Sequence, residues 1–317
     1  MLGDRATALR RWLLATFGAQ RLNEGTGVLD GAAGKGALTW QLQTLSGVAA
    51  FAYEPRPLEL ENLERKLAWG MCQRDARATG SASAPIEHVR LFFEYSTAEG
   101  LAALADEAAF AAATRRARAV RLSAARHGWR AAEGSDAEDS AETLPPSSDA
   151  EDDAVESACG SWNAPRREPR VREVARARAA DLVARCSVVV GMHPDQATES
   201  LVDFALRHGK PFAVVPCCVH SKDARFAART VAAVAPEREG VGEGSGGVEG
   251  VGERGASGGE DGDRGEARPA RQAVRSFESF LRYLRAKAPG VRTATLPMRG
   301  RNTVVYYLGA GSSAAAV

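Results

Sequence analysis

Short apolar runs alternate along this chain with segments whose apolar residues recur at helical spacing. Five runs predict strands, at 25–32, 47–54, 88–94, 186–193 and 211–217. The segments with helical spacing lie at 38–45, 58–76, 97–118, 172–184, 197–208 and 275–287. Two later runs, 293–298 and 302–308, flank a short turn at Gly300 and therefore predict a hairpin.

Alternating strands and helices indicate a parallel sheet with helices on both faces. We predict an α/β fold with three layers, in which a seven-stranded, mostly parallel sheet ends in a C-terminal antiparallel hairpin. Open parallel sheets bind ligands beyond the carboxyl ends of their strands, where the strand order reverses. Residues that directly follow the first, second, fourth and fifth strands are therefore the candidates for function.

Two segments interrupt this pattern. Residues 131–165 contain ten acidic residues and no Lys or Arg, and residues 236–271 are rich in glycine and charge. Neither composition buries enough apolar surface to offset the entropy of the chain. We interpret both as disordered inserts in a single domain that spans 1–317.

Net charge and cysteine content limit the classes of binding partner and the cellular compartment that we expect for this protein. A formal net charge of +1 argues against a protein that bulk charge alone holds to nucleic acid. No apolar run approaches the ~20 residues that span a bilayer, so we expect no membrane partner. Five cysteines indicate a reducing compartment, the cytoplasm or the nucleus. Residues 1–18 are amphipathic and carry arginines, which favours a packing helix and leaves an organellar transit peptide open.

Arginines flank the acidic insert on both sides and form a candidate phosphate-binding patch for RNA. Alternatively, the acidic insert folds back on them, or they belong to surface helices without a partner. These arginines are Arg115, Arg116, Arg118, Arg121, Arg126, Arg130, Arg166, Arg167, Arg170, Arg172, Arg176 and Arg178.

The first strand leads into a loop of small residues, Asp30, Gly31, Ala32, Gly34 and Gly36 among them. Only small side chains let backbone N–H groups approach a ligand closely, and glycine tolerates the dihedrals that such a bend requires. The glycines do not have the spacing of a dinucleotide fingerprint, which disfavours a nicotinamide-dependent oxidoreductase, and Lys35 is not followed by the Ser or Thr of a phosphate P-loop.

This loop resembles the first motif of class I S-adenosylmethionine-dependent methyltransferases. That motif is an apolar strand that ends in the pattern D-x-G-x-G-x-G, and here Asp30 stands at the acid and Ala32 replaces the first glycine. The resemblance implies a Rossmann-like sandwich and S-adenosyl-L-methionine as cofactor. It implies that Asp30 approaches the methionine amino group or positions the loop, and that Gly34 and Gly36 admit the cofactor close to the backbone.

Two further residues extend the implied cofactor site. Glu54 ends the second strand, where a carboxylate accepts hydrogen bonds from both ribose hydroxyls. In this family the adenine lies near the end of the third strand, which places Phe93 beside the base, although core packing explains Phe93 equally well.

The candidate reaction end follows the fourth and fifth strands. His193 is suited to remove a proton from a nucleophile, or it is a hydrogen-bonded structural histidine. Asp195 is placed to orient His193, to hold the substrate or to cap the next helix. Cys217 contacts substrate, or acts as a nucleophile if its pKa is lowered, or is a small buried hydrophobe like Cys218. A zinc site formed by Cys217, Cys218, His193 and His220 is conceivable. We nevertheless predict no metal here, because adjacent residues of a strand face opposite sides and no second ligand pair has zinc-type spacing.

The loops at Gly191–Thr198 and at 216–218 are similar to those of a methyltransferase-like subgroup that includes eukaryotic tRNA 2′-O-methyltransferases of the acceptor stem. Pro194 and Gln196 depart from the usual residues of that subgroup, as does Asp195. The resemblance implies methyl transfer to an O or N nucleophile, with tRNA-like RNA as one candidate substrate. The alternative is a catalytically inactive methyltransferase-like binding module.

Overall fold

A computed structural model describes the chain at 5–72, 84–94, 101–127, 170–223, 226–232 and 271–309. The predicted acidic insert at 131–165 lies outside the described residues, and so does the predicted glycine-rich insert at 236–271 except for its last residue. Contacts divide the chain into two units. The first comprises Met1–Cys218 and Ala288–Val317, and the second comprises Val219–Lys287.

The described residues form ten strands and seven helices. The strands are β1 (Val28–Gly31), β2 (Ala50–Tyr53), β3 (Ile86–Val89), β4 (Val171–Glu173), β5 (Val188–Met192), β6 (Phe212–Val215), β7 (Thr230–Ala232), β8 (Arg271–Ala273), β9 (Arg292–Thr295) and β10 (Thr303–Tyr307). The helices are α1 (Arg5–Leu22), α2 (Ala37–Ser46), α3 (Glu61–Ala68), α4 (Glu107–His127), α5 (Arg176–Arg185), α6 (Thr198–Arg207) and α7 (Phe277–Arg285).

The first unit contains an eight-stranded sheet with the order β4-β3-β2-β1-β5-β6-β10-β9. Neighbouring strands are parallel except at β10, which is antiparallel to both β6 and β9. The predicted α/β class with a mostly parallel sheet and a terminal hairpin is confirmed. The sheet has eight strands instead of the expected seven because β4 adds to the edge of β3, where Val171 pairs with Ile86.

Strand β1 lies between β2 and β5, and the chain extends the sheet away from β1 in both directions. Asp30 is the register partner of Ala52 on one side and of Val190 on the other. The order therefore reverses at β1, and the loops after β1 and β5 leave the sheet side by side. A crevice at such a reversal is where open α/β sheets bind ligands.

Helices cover both faces of this sheet. Asp30 contacts Thr39 of α2, whereas an added Cβ on the next residue, Gly31, would lie 2.2 Å from Leu201 of α6. Successive residues of a strand face opposite sides, so α2 and α6 lie on opposite faces. On the α2 face, α1 packs on the sheet through the buried side chains of Leu9 and Leu13.

Several element boundaries differ from the sequence predictions. Within the described part of the helix expected at 58–76, residues 58–72, only α3 is helical. The helix expected at 172–184 begins at Arg176, and β4 includes residues 172 and 173. α1 continues beyond a kink at Gly18, whose φ is 76°. None of the helices in the described ranges combines the length and apolar composition that crossing a bilayer requires.

The second unit contains an antiparallel pair of strands, β7 and β8, and the helix α7. Ser276 caps α7 by accepting a hydrogen bond from the backbone N–H of Ser279. The buried guanidinium of Arg229 lies 3.9 Å from the ring centroid of Phe226 and 4.9 Å from that of Phe280. Cation–π contacts of this kind stabilise a charge that is withdrawn from water.

Candidate functional site

The loop after β1 bends through left-handed backbone conformations. Ala32 has a φ of 56°, Gly34 of 58° and Gly36 of 85°. An added Cβ on Gly34 would meet only Arg56 Nη2, at 4.0 Å, so the backbone of the loop is open to close approach at this residue. Gly36 is the N-cap residue of α2, and no side chain forms a capping hydrogen bond at this end of the helix. The loop therefore presents backbone at the start of a helix, as its sequence predicts.

The carboxylate of Glu54 lies against this loop. Its Oε2 accepts a hydrogen bond from the backbone N–H of Gly34 at 2.8 Å. Its Oε1 accepts from the backbone N–H of Arg56 at 3.1 Å and from Arg56 Nε at 2.7 Å. The side chain of Glu54 is only 2% exposed, whereas that of Arg56 is 61% exposed. The structure thus brings the predicted loop and the predicted acid together, with Arg56 across the outer side of the acid.

A buried histidine of β3 holds the backbone at the end of β2. His88 Nε2 lies 2.7 Å from the backbone carbonyl oxygen of Glu54. Because a carbonyl oxygen only accepts, the ring donates from Nε2. Burial lowers the pKa of His88, so the ring is neutral near pH 7. Sequence patterns did not single out His88 or Arg56, although Arg56 follows Glu54 by only two positions.

Asp30 faces α2 from β1. Its carboxyl group is 1% exposed, and Oδ2 accepts a hydrogen bond from Thr39 Oγ1 at 2.7 Å. Oδ1 has no hydrogen-bond partner among the described residues. Burial raises the pKa of Asp30 to about 7 against the hydrogen bonds from Thr39, and the charge of Glu54 adds to the increase. Of the two roles implied for Asp30, these contacts favour positioning the loop and α2.

Two other predicted cofactor residues, Gly31 and Phe93, have packing contacts on the opposite face of the sheet. An added Cβ on Gly31 would approach a methyl carbon of Leu201 to 2.2 Å, and one on the neighbouring Gly191 would approach the other methyl carbon to 2.6 Å, so both glycines leave space for Leu201. Phe93 is buried, with its ring centroid 5.0 Å from that of Tyr53 and 5.8 Å from that of Phe204. Core packing is therefore sufficient to explain both Gly31 and Phe93.

The loop after β5 carries backbone strain. Only four described residues other than glycine have a positive φ, and His193 (53°) and Asp195 (54°) are two of them. The others are Ala32 and His220. Non-glycine residues rarely adopt this conformation, and such residues cluster at functional sites, where the surrounding structure holds them in place. Both predicted reaction-end residues of this loop are strained.

The imidazole of His193 is in the neutral form that accepts a proton. Burial lowers its pKa, with a further contribution from the charge of Arg5, so the imidazole is neutral near pH 7. Both ring nitrogens are shielded from solvent and lack a hydrogen-bond partner among the described residues. Asp195 therefore does not orient the ring by a hydrogen bond. A substrate reaches a ring nitrogen only if the imidazole turns outward.

Asp195 does not cap α6. The N-cap of that helix is Ala197, which makes no side-chain cap, and Thr198 Oγ1 donates to the backbone oxygen of Asp195 at 2.7 Å. The Asp195 carboxylate instead lies beside the loop after β6, where its Oδ1 is 3.9 Å from Cys217 Sγ. The helix-cap role is thus excluded by the geometry of this loop.

The two adjacent cysteines lie beyond the end of β6. That strand ends at Val215, so the alternation of side chains along a strand does not separate Cys217 from Cys218. Burial raises the pKa of Cys217 and raises that of Cys218 to about 12. Both thiols are therefore protonated near pH 7, and Cys217 lacks the lowered pKa that an activated nucleophile requires.

Arginines of the predicted phosphate-binding patch are paired with acids at the β3–β4 edge. Glu87 binds both Arg172 and Arg178, and Glu173 binds Arg118. Arg170 pairs with Glu64, and Arg176 pairs with Glu107. The positive charge of these five arginines is largely balanced by side chains of the sheet edge and its helices. RNA contact by this region stays a prediction.

No family model matches this sequence, and neither a curated protein nor a solved structure matches it. The geometry of the loops after β1, β2, β5 and β6 is therefore the basis for assigning a function.

Proposed function

We propose that this chain is an S-adenosylmethionine-dependent methyltransferase with a Rossmann-like fold that methylates an O or N nucleophile, with RNA as one candidate substrate class. One contact carries the proposal: beside the reversal in strand order, the backbone N–H of Gly34 after β1 donates to the carboxylate of Glu54 after β2. The glycine loop and the acid of the neighbouring strand thereby form one cradle, as the resemblance implies.

The residues of the cradle fit an adenosyl group in part. The backbone at Gly34 is open, and Glu54 lies beneath the loop with two carboxylate oxygens that accept hydrogen bonds. Arg56 is bound to one side of that carboxylate and is mostly exposed, so a ribose reaches Glu54 when the Arg56 side chain turns into solvent. When bound, the cofactor supplies a methyl group on a positively charged sulfur.

His193 is the proposed general base. Its neutral imidazole accepts a proton from the substrate nucleophile after the ring turns towards the crevice. Asp195 and Cys217 lie at the same edge of the sheet and line the substrate side. The protein then contributes mainly positioning and exclusion of water.

Calorimetry with S-adenosylhomocysteine tests the cofactor assignment. We expect the wild-type protein to bind and Glu54→Gln to bind at least about tenfold more weakly, because an amide lacks one of the charged acceptors. Glu87→Gln is the matched control, since Glu87 is also paired with arginines but lies on β3 and does not contact the loop after β1. Absence of binding by the wild-type protein would reject the proposal.

One observation favours the alternative of a binding module without catalysis: both ring nitrogens of His193 are shielded from solvent. Incubation of RNA, protein and metabolite fractions of cell extract with labelled S-adenosylmethionine separates the two functions. Label that enters one fraction and is lost in His193→Ala supports the enzyme. Cofactor binding without transfer, unchanged in His193→Ala, supports the binding module.

A further inference from the structure

Three metal-ligating side chains meet at the edge of the sheet beyond β5 and β6. These strands are parallel neighbours, and Met192 is the register partner of Val215. Their loops therefore leave the sheet next to each other. Cys217 Sγ is 3.9 Å from Asp195 Oδ1, and Cys218 Sγ lies within 4.8 Å of a carboxylate oxygen of Asp195.

The backbone of both loops brings these groups together. Asp195 is held at a φ of 54°, and its carboxylate does not cap α6. Strand β6 ends at Val215, and both thiols of the segment that follows lie close to the Asp195 carboxylate. Helix capping therefore does not explain the strained backbone of Asp195. What this backbone conformation does is place a carboxylate oxygen beside two sulfur atoms.

We propose that Cys217, Cys218 and Asp195 bind one divalent cation of the zinc class through two sulfur atoms and one carboxylate oxygen. Tetrahedral zinc with bond lengths of about 2.3 Å to sulfur and about 2.0 Å to oxygen separates its ligand atoms by ~3.5 Å. The observed separation of 3.9 Å between Cys217 Sγ and Asp195 Oδ1 is close to this value. Three protein ligands leave a fourth position for water or a substrate atom.

The donor set selects the kind of cation. Sulfur donors favour zinc and other soft or borderline ions, whereas magnesium and calcium require oxygen ligands. On binding, each thiol releases its proton to solvent, and the two thiolates and the carboxylate bring three negative charges to the two positive charges of the cation. This inference revises the sequence prediction of no metal, which rested on Cys217 and Cys218 facing opposite sides of a strand and on the lack of a second ligand pair with zinc-type spacing.

Zinc titration of the purified full chain against a chromophoric chelator tests the site. We expect one ion per chain, and at least about tenfold weaker binding by Cys217→Ser, Cys218→Ser and Asp195→Asn. Cys72→Ser is the matched control because Cys72 is a half-buried free cysteine at the end of the α3 segment, and its binding stays at the wild-type level. Circular dichroism of each variant checks that the fold is retained.

Cobalt provides a second measurement on the same protein. Sulfur coordination gives Co²⁺ a charge-transfer absorption that oxygen ligands alone do not give, and we expect this band in wild type and its loss in the double variant C217S/C218S. No stoichiometric binding, or equal binding by wild type and the double variant, would overturn the inference. Neither measurement uses S-adenosylmethionine, so failure here and failure of the proposed methyl transfer are distinguishable.

Discussion

The two halves of the sheet edge differ in how their polar groups are satisfied. At the β1–β2 half, Glu54 is held by Gly34 and Arg56, and His88 fixes its backbone. At the β5–β6 half, the imidazole of His193 has no hydrogen-bond partner among the described residues, and Asp195 has a strained backbone. The first half is built to hold a fixed shape, whereas the second keeps a histidine ring that a ligand or substrate would satisfy.

Asp30 is the exception in the β1–β2 half, and the titration of its buried carboxyl group gives the largest effect on stability that we predict. Its pKa of about 7 in the fold lies above the ordinary value of 3.8, so the folded state keeps a proton that the unfolded chain releases. Stability should therefore fall as pH rises from about 4 to 7, by at most about 4 kcal/mol, and level off above.

Asp30→Asn removes this titration and keeps an acceptor for Thr39. The free energy of unfolding of Asp30→Asn relative to wild type should therefore increase with pH up to neutrality in urea titrations. Parallel pH profiles of the two proteins would contradict the role given to Asp30.

Glu54→Ala should destabilise the fold by about 3 kcal/mol, because it leaves the Gly34 amide unpaired and removes a buried charged acceptor. Glu59→Ala is the control: Glu59 also pairs with a basic residue, Lys35, but both side chains are exposed, so the expected change is within about 0.5 kcal/mol. Urea denaturation measures both. A similar loss in the two variants would show that the Glu54 contacts are not special.

Gly31→Ala should cost about 2 kcal/mol, since the added methyl would meet Leu201 at 2.2 Å. In the double variant with Leu201→Ala, the two costs should not add, because the smaller side chain makes room for the methyl group. A double-mutant cycle in urea checks this coupling. Additive costs would show that α6 does not press against the end of β1.

At position 193, glycine should be more stable than alanine by about 1 kcal/mol, because only glycine adopts a φ of 53° without strain. The same pair of substitutions at Asp203, in the middle of α6, should show the opposite order, with alanine favoured by about 1 kcal/mol. Thermal unfolding of the four variants tests the comparison. Both substitutions at His193 should abolish the proposed methyl transfer, whatever their stability.

Much of the central sheet was predictable because its signals are local. The runs that contain β1, β2, β5 and β6 are apolar and end in turn-forming or polar residues, so their order in the chain predicted the edge at which Asp30, Glu54, His193 and Cys217 lie. The short edge strand β4 was not predictable in this way. It has three residues, none of them fully buried, and its pairing depends on β3, more than 80 residues earlier in the chain.

The partners of the site residues also depend on long-range contacts. Thr39 lies in a segment whose sequence predicts only a helix, and its hydrogen bond to Asp30 forms when α2 packs on β1. Arg56 is close to Glu54 in sequence, yet its position over Gly34 depends on how the loops after β1 and β2 meet.

By itself the sequence determined which residues follow which strand, because hydrophobic periodicity and glycine spacing act over a few residues. Tertiary structure alone decided what those residues touch: Glu54 meets Gly34, Asp195 turns from α6 to two thiols, and the flanking arginines meet acids of the β3–β4 edge. These contacts join segments that only the pairing of strands and the packing of helices bring within hydrogen-bond distance.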